Sequence, residues 1–107
     1  MRRVYIACPY TKGDKDANVR ASIDAAHELI EMGFVPYVPL LNHYIHLVHP
    51  QDYDIWMEQD VEWLKQCDVL LRLSGESAGA DKEIALAHQL HMPVYYTLAA
   101  LYYHEGN

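Results

Sequence analysis

Apolar positions along the chain switch between two periods. Val4-Tyr5-Ile6-Ala7-Cys8 is a continuous β-forming run ended by Pro9, the pattern of a strand buried on both faces. From Ala17 to Met32, the residues Val19, Ile23, Ala26 and Ile30 recur at i, i+4, i+7 and i+11. That spacing predicts a helix with one apolar stripe, and Gly33 supplies its stop. Phe34 to Pro39 reads as a second strand, which its prolines push to an edge. The segment from Leu40 to Gln51 has no clean period, and with Pro50 it reads as a loop. Tyr53 to Gln66 predicts a second helix with Asp52 or Asp54 as its cap. Val69 to Leu73 is a third strand and Ser74 to Gly79 a loop. Ala80 to His91 is a third helix, ended by Pro93, and Val94 to Thr97 a fourth strand. The last ten residues form a short helix or a frayed tail.

Strand and helix alternate from end to end, which implies parallel strands joined by crossovers, with helices on both faces. The expected class is α/β: a Rossmann-like or flavodoxin-like three-layer α/β/α fold. Its sheet is small and mostly parallel, of four to five strands, in a single domain over 1–107. Ligands of such sheets bind beyond the carboxyl ends of the strands. Two loops qualify, Cys8–Asp16 after the first strand and Ser74–Gly79 after the third.

Three side chains near those loops could carry chemistry. Glu83 is expected in the first turn of the third helix, behind Ser77-Ala78-Gly79. Two readings fit it: a carboxylate that complements the helix dipole, or an ionised nucleophile at the sheet edge. Asp60 has Trp56 and Met57 before it and Trp63 and Leu64 after it at helical spacing. It is then either a helix-edge residue that reaches solvent, or a carboxyl in apolar surroundings with a raised pKa, suited to acid–base work. Tyr5 shares a strand face with Ala7 and reads as a core tyrosine whose hydroxyl is tied to a neighbour. Lys12 and Gly13 offer a cation and pliable amides to an anion, without forming a P-loop.

Composition narrows the partners. The 107 residues are 51% hydrophobic and 21% charged, as in a globular domain. The formal charge of −7, from 8 basic against 15 acidic residues, argues against duplex nucleic acid but allows a nucleotide. No apolar run approaches the ~18 residues of a membrane span. Met1-Arg2-Arg3 leads at once into a strand pattern, so no targeting segment is expected. Cys8 and Cys67 read as reduced thiols, and the expected compartment is cytoplasmic. Small size favours assembly into a homo-oligomer, a dimer or higher, with the Tyr95-Tyr96 and Tyr102-Tyr103 pairs as core and contact aromatics.

Val4-Tyr5-Ile6-Ala7, the stretch from Glu58 through Asp60 and Cys67-Asp68 to Leu71, and Ser77-Ala78-Gly79-Ala80-Asp81-Lys82-Glu83-Ile84-Ala85-Leu86-Ala87 together resemble the nucleoside 2-deoxyribosyltransferase-like superfamily. Its 2-deoxynucleoside 5′-monophosphate N-hydrolase branch is included, and small uncharacterised phage and bacterial members are more similar still. The resemblance implies a nucleophile at Glu83, a group at Asp60 that positions the nucleotide and assists proton transfer, and an orienting tyrosine at Tyr5. It also implies a phosphate contact at Ser77, where transferases carry an acidic residue. Gly79, Cys8, Pro9 and Lys12 complete the expected substrate contacts. The first loop, Cys8-Pro9-Tyr10-Thr11, lacks the family's usual glycine-rich turn.

The expected function is cleavage or transfer at the N-glycosidic bond of a nucleoside 5′-monophosphate, with no metal or organic cofactor. A non-catalytic nucleotide-binding module and an NAD-type glycohydrolase are the alternatives. His43, His46 and His49, spaced by three, could bind a metal only on a helix, and the loop reading argues against it. Cys8 has no evident base to make it a nucleophile. His88 and His91 read as helix surface near a C-terminus.

Overall fold

A computed structural model describes residues 1–10 and 12–106. Thr11, in the first candidate loop, and Asn107 lie outside the described residues. The chain forms β1 (Arg3–Ala7), α1 (Lys15–Glu31), β2 (Val35–Tyr37), a 3-10 turn (Pro39–Leu41), α2 (Asn42–Val48), α3 (Tyr53–Leu64), β3 (Val69–Arg72), α4 (Ala78–Gln89), β4 (Val94–Tyr95) and α5 (Leu98–Glu105). The four strands pair in parallel in the order β2-β1-β3-β4. β2 is the edge strand its prolines required.

Alternation along β1 and β3 separates two cores. Val4, Ile6, Val69 and Leu71 meet Ala25 and Leu29 of α1 and Leu101 of α5 on one face. Tyr5, Ala7 and Leu70 meet Leu64 of α3 and Ala80 and Ala87 of α4 on the other. These are the three expected α/β/α layers. The strand order reverses direction between β1 and β3, so their carboxyl ends form the crevice where such folds bind ligands.

Several local expectations are corrected. α1 begins two residues early, because the Asp14 carboxylate accepts from the amides of Asp16 and Ala17. Its buried stripe is Val19, Ser22, Ala25 and Leu29, while Ile23 and Ile30 face solvent. Ser22 tolerates complete burial because its hydroxyl donates to the Val19 carbonyl at 2.7 Å, and small residues at 22 and 25 let the helix approach the sheet. The segment expected to be a loop is helical as the 3-10 turn and α2. Leu41, Tyr44, Ile45 and Val48 keep helical spacing in it, interrupted by His43 and His46 and followed by Pro50; the apolar residues are exposed and Asn42, His43 and His46 half-buried. Asp52 holds the N-cap position of α3 without a side-chain cap bond. The chain's end is a helix, α5, whose Glu105 is bound by Tyr95 Oη at 2.5 Å and by Arg2. Among the described residues, no helix is long and apolar enough to cross a membrane.

Two helices close in the same way. After α1, Gly33 takes φ +91, and the amides of Gly33 and Phe34 bond back to Ile30 and Leu29. After α4, His91 does the same at φ 57, with His91 and Met92 bonding to His88 and Ala87. A side chain in the left-handed region costs about 1 kcal/mol where glycine costs little. His91→Gly is therefore expected to stabilise the fold by up to about 1 kcal/mol, read as a higher urea midpoint at unchanged slope.

Candidate active site

β1 delivers Tyr5 to the α3–α4 face of the sheet, where it is fully buried. α4 crosses the same face and presents Glu83, 6% exposed, to it. The Tyr5 hydroxyl donates to Glu83 Oε2. α3 brings Asp60 alongside, near enough for its charge to act on both groups. Asp60 Oδ1 is buried with no hydrogen-bond partner among the described residues. Three residues far apart in sequence thus converge on the α3–α4 face of the sheet, over the middle of β1.

The electrostatics differ from the sequence expectation for Glu83. α4 starts at Ala78, two residues before the predicted start, so the first turn holds Asp81 while Glu83 falls one turn further in. The dipole's influence fades beyond the first turn, and burial prevails. It pushes the Glu83 carboxyl up to about 7, opposed by the Tyr5 hydrogen bond, with Asp60 raising it further and Arg72 lowering it. Burial likewise lifts Asp60 to about 6. Tyr5 is held far above its ordinary value by burial and then by the charges of Glu83 and Asp60, so it remains a donor.

The loops supply the rim. Ser77 caps α4, its Oγ accepting from the Ala80 amide at 3.0 Å, which leaves the hydroxyl proton to donate elsewhere. Gly79 lies inside the first helical turn, where a side chain would approach the Tyr53 hydroxyl at 3.2 Å. Pro9 packs on Gly75, which sits at φ +115; a Cβ there would meet Pro9 Cγ at 2.7 Å. The two loops therefore touch, as the fold requires of a shared site. Cys8 bonds to the Pro9 and Asn18 carbonyls, and burial pushes its thiol up to about 11, unsuited to a nucleophile. Lys12 is exposed, and no contact among the described residues ties its ammonium to Ser77 or Glu83.

Two residues escaped the sequence reading. Arg72, at the end of β3 and almost buried, donates to the carbonyls of Leu73 and Gly75, the latter at 2.5 Å. It also stands 3.8 Å from Asp81. It fixes the loop before α4 and adds positive potential near Glu83. A lone cation closing an apolar strand ahead of Ser74-Gly75 was the available signal. Tyr37 pairs with Tyr5 across β2 and β1, ring centroids 5.7 Å apart, and stacks on Trp63 at 5.1 Å. Burial, and then the charges of Asp60, Cys67 and Glu83 against the Asn42 amide, hold its phenol high. Only the strand register reveals that neighbour.

Two of the three histidines of the 42–49 segment have other partners. His43 Nδ1 bonds the Tyr10 hydroxyl, and His46 Nδ1 accepts from Trp56 Nε1 at 2.9 Å. Among the described residues, no group of three or more His, Cys, Asp or Glu side chains is placed to hold a metal ion.

The sequence profile of a family described as a domain of unknown function (DUF7768) matches residues 2–97. The chain belongs to the DUF7768 family. Among curated proteins, none matches it. Among solved structures, the DUF7768 chain is similar to a 2-deoxyribosyltransferase from the psychrotolerant bacterium Bacillus psychrosaccharolyticus. That match has a TM-score of 0.65 at 19% identity, over 86% of this chain and 69% of the transferase. It is also similar to a conserved protein from Enterococcus faecalis V583, with a TM-score of 0.73 at 23% identity over 88% of this chain. The DUF7768 chain spans 61% of that protein's length. The fold is therefore nucleoside 2-deoxyribosyltransferase-like.

Proposed function

We propose that this protein cleaves or transfers the N-glycosidic bond of a nucleoside 5′-monophosphate through Glu83. The observation that carries the reading is the buried Glu83 carboxyl held by the Tyr5 hydroxyl, with Asp60 Oδ1 unpartnered beside it. A tyrosine that donates to one carboxylate oxygen fixes its rotamer and leaves the other oxygen's lone pairs for attack. The fold's likeness to a deoxyribosyltransferase supports the same chemistry.

In this reading the ionised Glu83 attacks C1′ as the bond to the base breaks, through an oxocarbenium-like state that the carboxylate stabilises. The protonated Asp60 gives its proton to the departing base. Water, or a second base, then displaces Glu83 from C1′, and the deprotonated Asp60 takes the proton released by the acceptor. Ser77 Oγ–H and the unpaired first-turn amides of α4 receive the 5′-phosphate. Arg72 adds positive potential there.

The test is base release from ribo- and deoxyribonucleoside 5′-monophosphates, the matching nucleosides and NAD, by wild type and Glu83→Ala. Monophosphates are expected to exceed nucleosides by tenfold or more in kcat/KM, since one charge-assisted phosphate bond contributes at least ~1.4 kcal/mol. Glu83→Ala is expected to release nothing above background. No release from any of them by the folded wild type would overturn the enzymatic reading and leave a nucleotide-binding module. Nucleosides that outpace their monophosphates would overturn the phosphate assignment alone.

A further inference from the structure

α3 is anchored at one end. Of its 12 residues only Leu64, the last, is buried, and Asp52 at its N-cap makes no side-chain cap bond. Trp56 Nε1 bonds to His46 of α2, itself a helix with no buried residue. The start of α3 rests on the first turn of α4, where Gly79 leaves a gap. A Cβ at Gly79 would lie 3.2 Å from the Tyr53 hydroxyl, 3.7 Å from Met57 Sδ and 3.9 Å from Ser77 Oγ. Tyr53, Met57 and Asp60 recur at i, i+4 and i+7, which places them on one face of the helix. That face carries the hydroxyl beside the gap and, roughly 10 Å further along, the carboxyl whose Oδ1 is buried with no partner among the described residues. α4 is fixed by contrast: Ala80, Glu83 and Ala87 are all buried. The candidate site thus combines one settled helix with one secured mainly at its far end.

The hydroxyls of Tyr53 and Ser77 flank the gap, each with a proton to donate, beside the unpaired first-turn amides of α4. The Lys82 ammonium stands over the Tyr53 ring, 5.5 Å from its centroid. Asp81, the acidic residue of that turn, is paired with Arg72 at 3.8 Å. Donors from two helices thus surround one space suited to a phosphate dianion. We propose that the substrate's 5′-phosphate bonds Tyr53 Oη–H and Ser77 Oγ–H together and, by joining α3 to α4, fixes Asp60 for the chemical step. Tyr53 is then a positioning residue, acting on the reaction through Asp60 two turns away. The assignment rests on the glycosidic reading of Glu83 and Asp60, and extends it by giving the phosphate a part in the chemical step as well as in binding. A phosphate that only adds affinity changes KM, whereas one that fixes the proton donor changes kcat. Ser77 alone does not supply this coupling, because it caps the helix already fixed and its Oγ is bonded to the Ala80 amide.

The test supplies the phosphate separately from the nucleoside. Inorganic phosphate, at constant ionic strength, is expected to raise wild-type kcat for base release from unphosphorylated nucleosides by about tenfold or more, with little change in KM. Tyr53→Phe, which removes one oxygen from a 52% exposed side chain, is expected to abolish that activation and to lower kcat for the monophosphates by about tenfold or more. Gly79→Ala, whose methyl group would fill the gap, is expected to do the same. Hydrogen exchange gives a readout that needs no turnover. Inorganic phosphate is expected to slow exchange across residues 53–60 in the wild type and in Glu83→Ala, and to leave it unchanged in Tyr53→Phe. Base release that inorganic phosphate does not accelerate, or a Tyr53→Phe variant altered in KM alone, overturns the coupling and leaves the glycosidic reading in place. If no substrate releases its base, the glycosidic reading fails and hydrogen exchange decides the rest. Protection of α3 that Tyr53→Phe removes then supports a phosphate lock between the helices, and protection that persists in the variant or never appears overturns it.

Discussion

Glu83→Gln is expected to lower base release by on the order of 10³ or more, and to melt higher than the wild type at pH 8. The two effects share one cause. A nucleophile must be ionised, yet this carboxyl is 6% exposed and burial raises it from 4.5 to about 7. That rise corresponds to about 3 kcal/mol. A carboxyl whose pKa is higher folded than unfolded contributes its full relative stability below the unfolded value, here 4.5, and loses it as pH climbs through about 7. The wild type thus carries the whole penalty at pH 8 and none at pH 4. Glutamine keeps an oxygen for the Tyr5 hydroxyl and never ionises, so it removes the penalty. Calorimetry at the two pH values reads the difference: a gain on the order of 10 °C at pH 8, shrinking towards zero at pH 4. An equal change in melting temperature at both pH values would show that the effect is packing and not charge. Retained base release would remove Glu83 from the nucleophile's role.

The same residues show what a linear reading of the chain can reach. Tyr5 and Asp60 stood out because each sets a polar group in an apolar run, Glu83 because it follows the Ser77-Ala78-Gly79 loop near a helix start, and the fold does bring the three together. Pro9 and Gly75 sit on the two expected loops and touch, because alternating strands and helices leave few ways to arrange a parallel sheet. The burial of Glu83 was not legible. It depends on where α4 starts, and that is set by Ser77 capping the helix two residues ahead of the apolar pattern. The buried face of α1 was misplaced for a related reason: periodicity finds apolar residues, whereas close packing on the sheet selected Ser22 and Ala25 over Ile23 and Ile30. α2 was missed because His43, His46 and Pro50 break up the run in which Leu41, Tyr44, Ile45 and Val48 keep helical spacing; its stripe faces outward, so hydrophobic period and core position disagree there as they do in α1. Tyr37 needed the β1–β2 register, and Arg72 needed the loop it closes; neither is a local property of the sequence.

Asp60→Asn is expected to cost 10²- to 10⁴-fold in kcat/KM, on the order of a general acid's contribution, and to change the shape of the pH profile. In the wild type, Asp60 near 6 and Glu83 near 7 titrate beside each other. The pair's single proton rests mostly on Glu83, the group of higher pKa, and the active form is the minority in which Asp60 holds it for the base while Glu83 is ionised. The wild-type profile is therefore a bell with its optimum between about 6 and 7, falling towards tenfold per pH unit on either side. Asparagine cannot give up a proton at any pH, so the alkaline limb disappears. The remaining acid limb moves to lower pH, because the Asp60 charge that raised Glu83 is gone. A nucleotide whose base departs without protonation, such as an N7-alkylated purine, is expected to recover most of the lost rate. That rescue separates proton donation from mere positioning, since a misplaced substrate would react slowly whatever its leaving group. A bell that persists in Asp60→Asn, or equal losses for both kinds of leaving group, would assign the proton transfer elsewhere and leave Asp60 as a contact that orients the nucleotide.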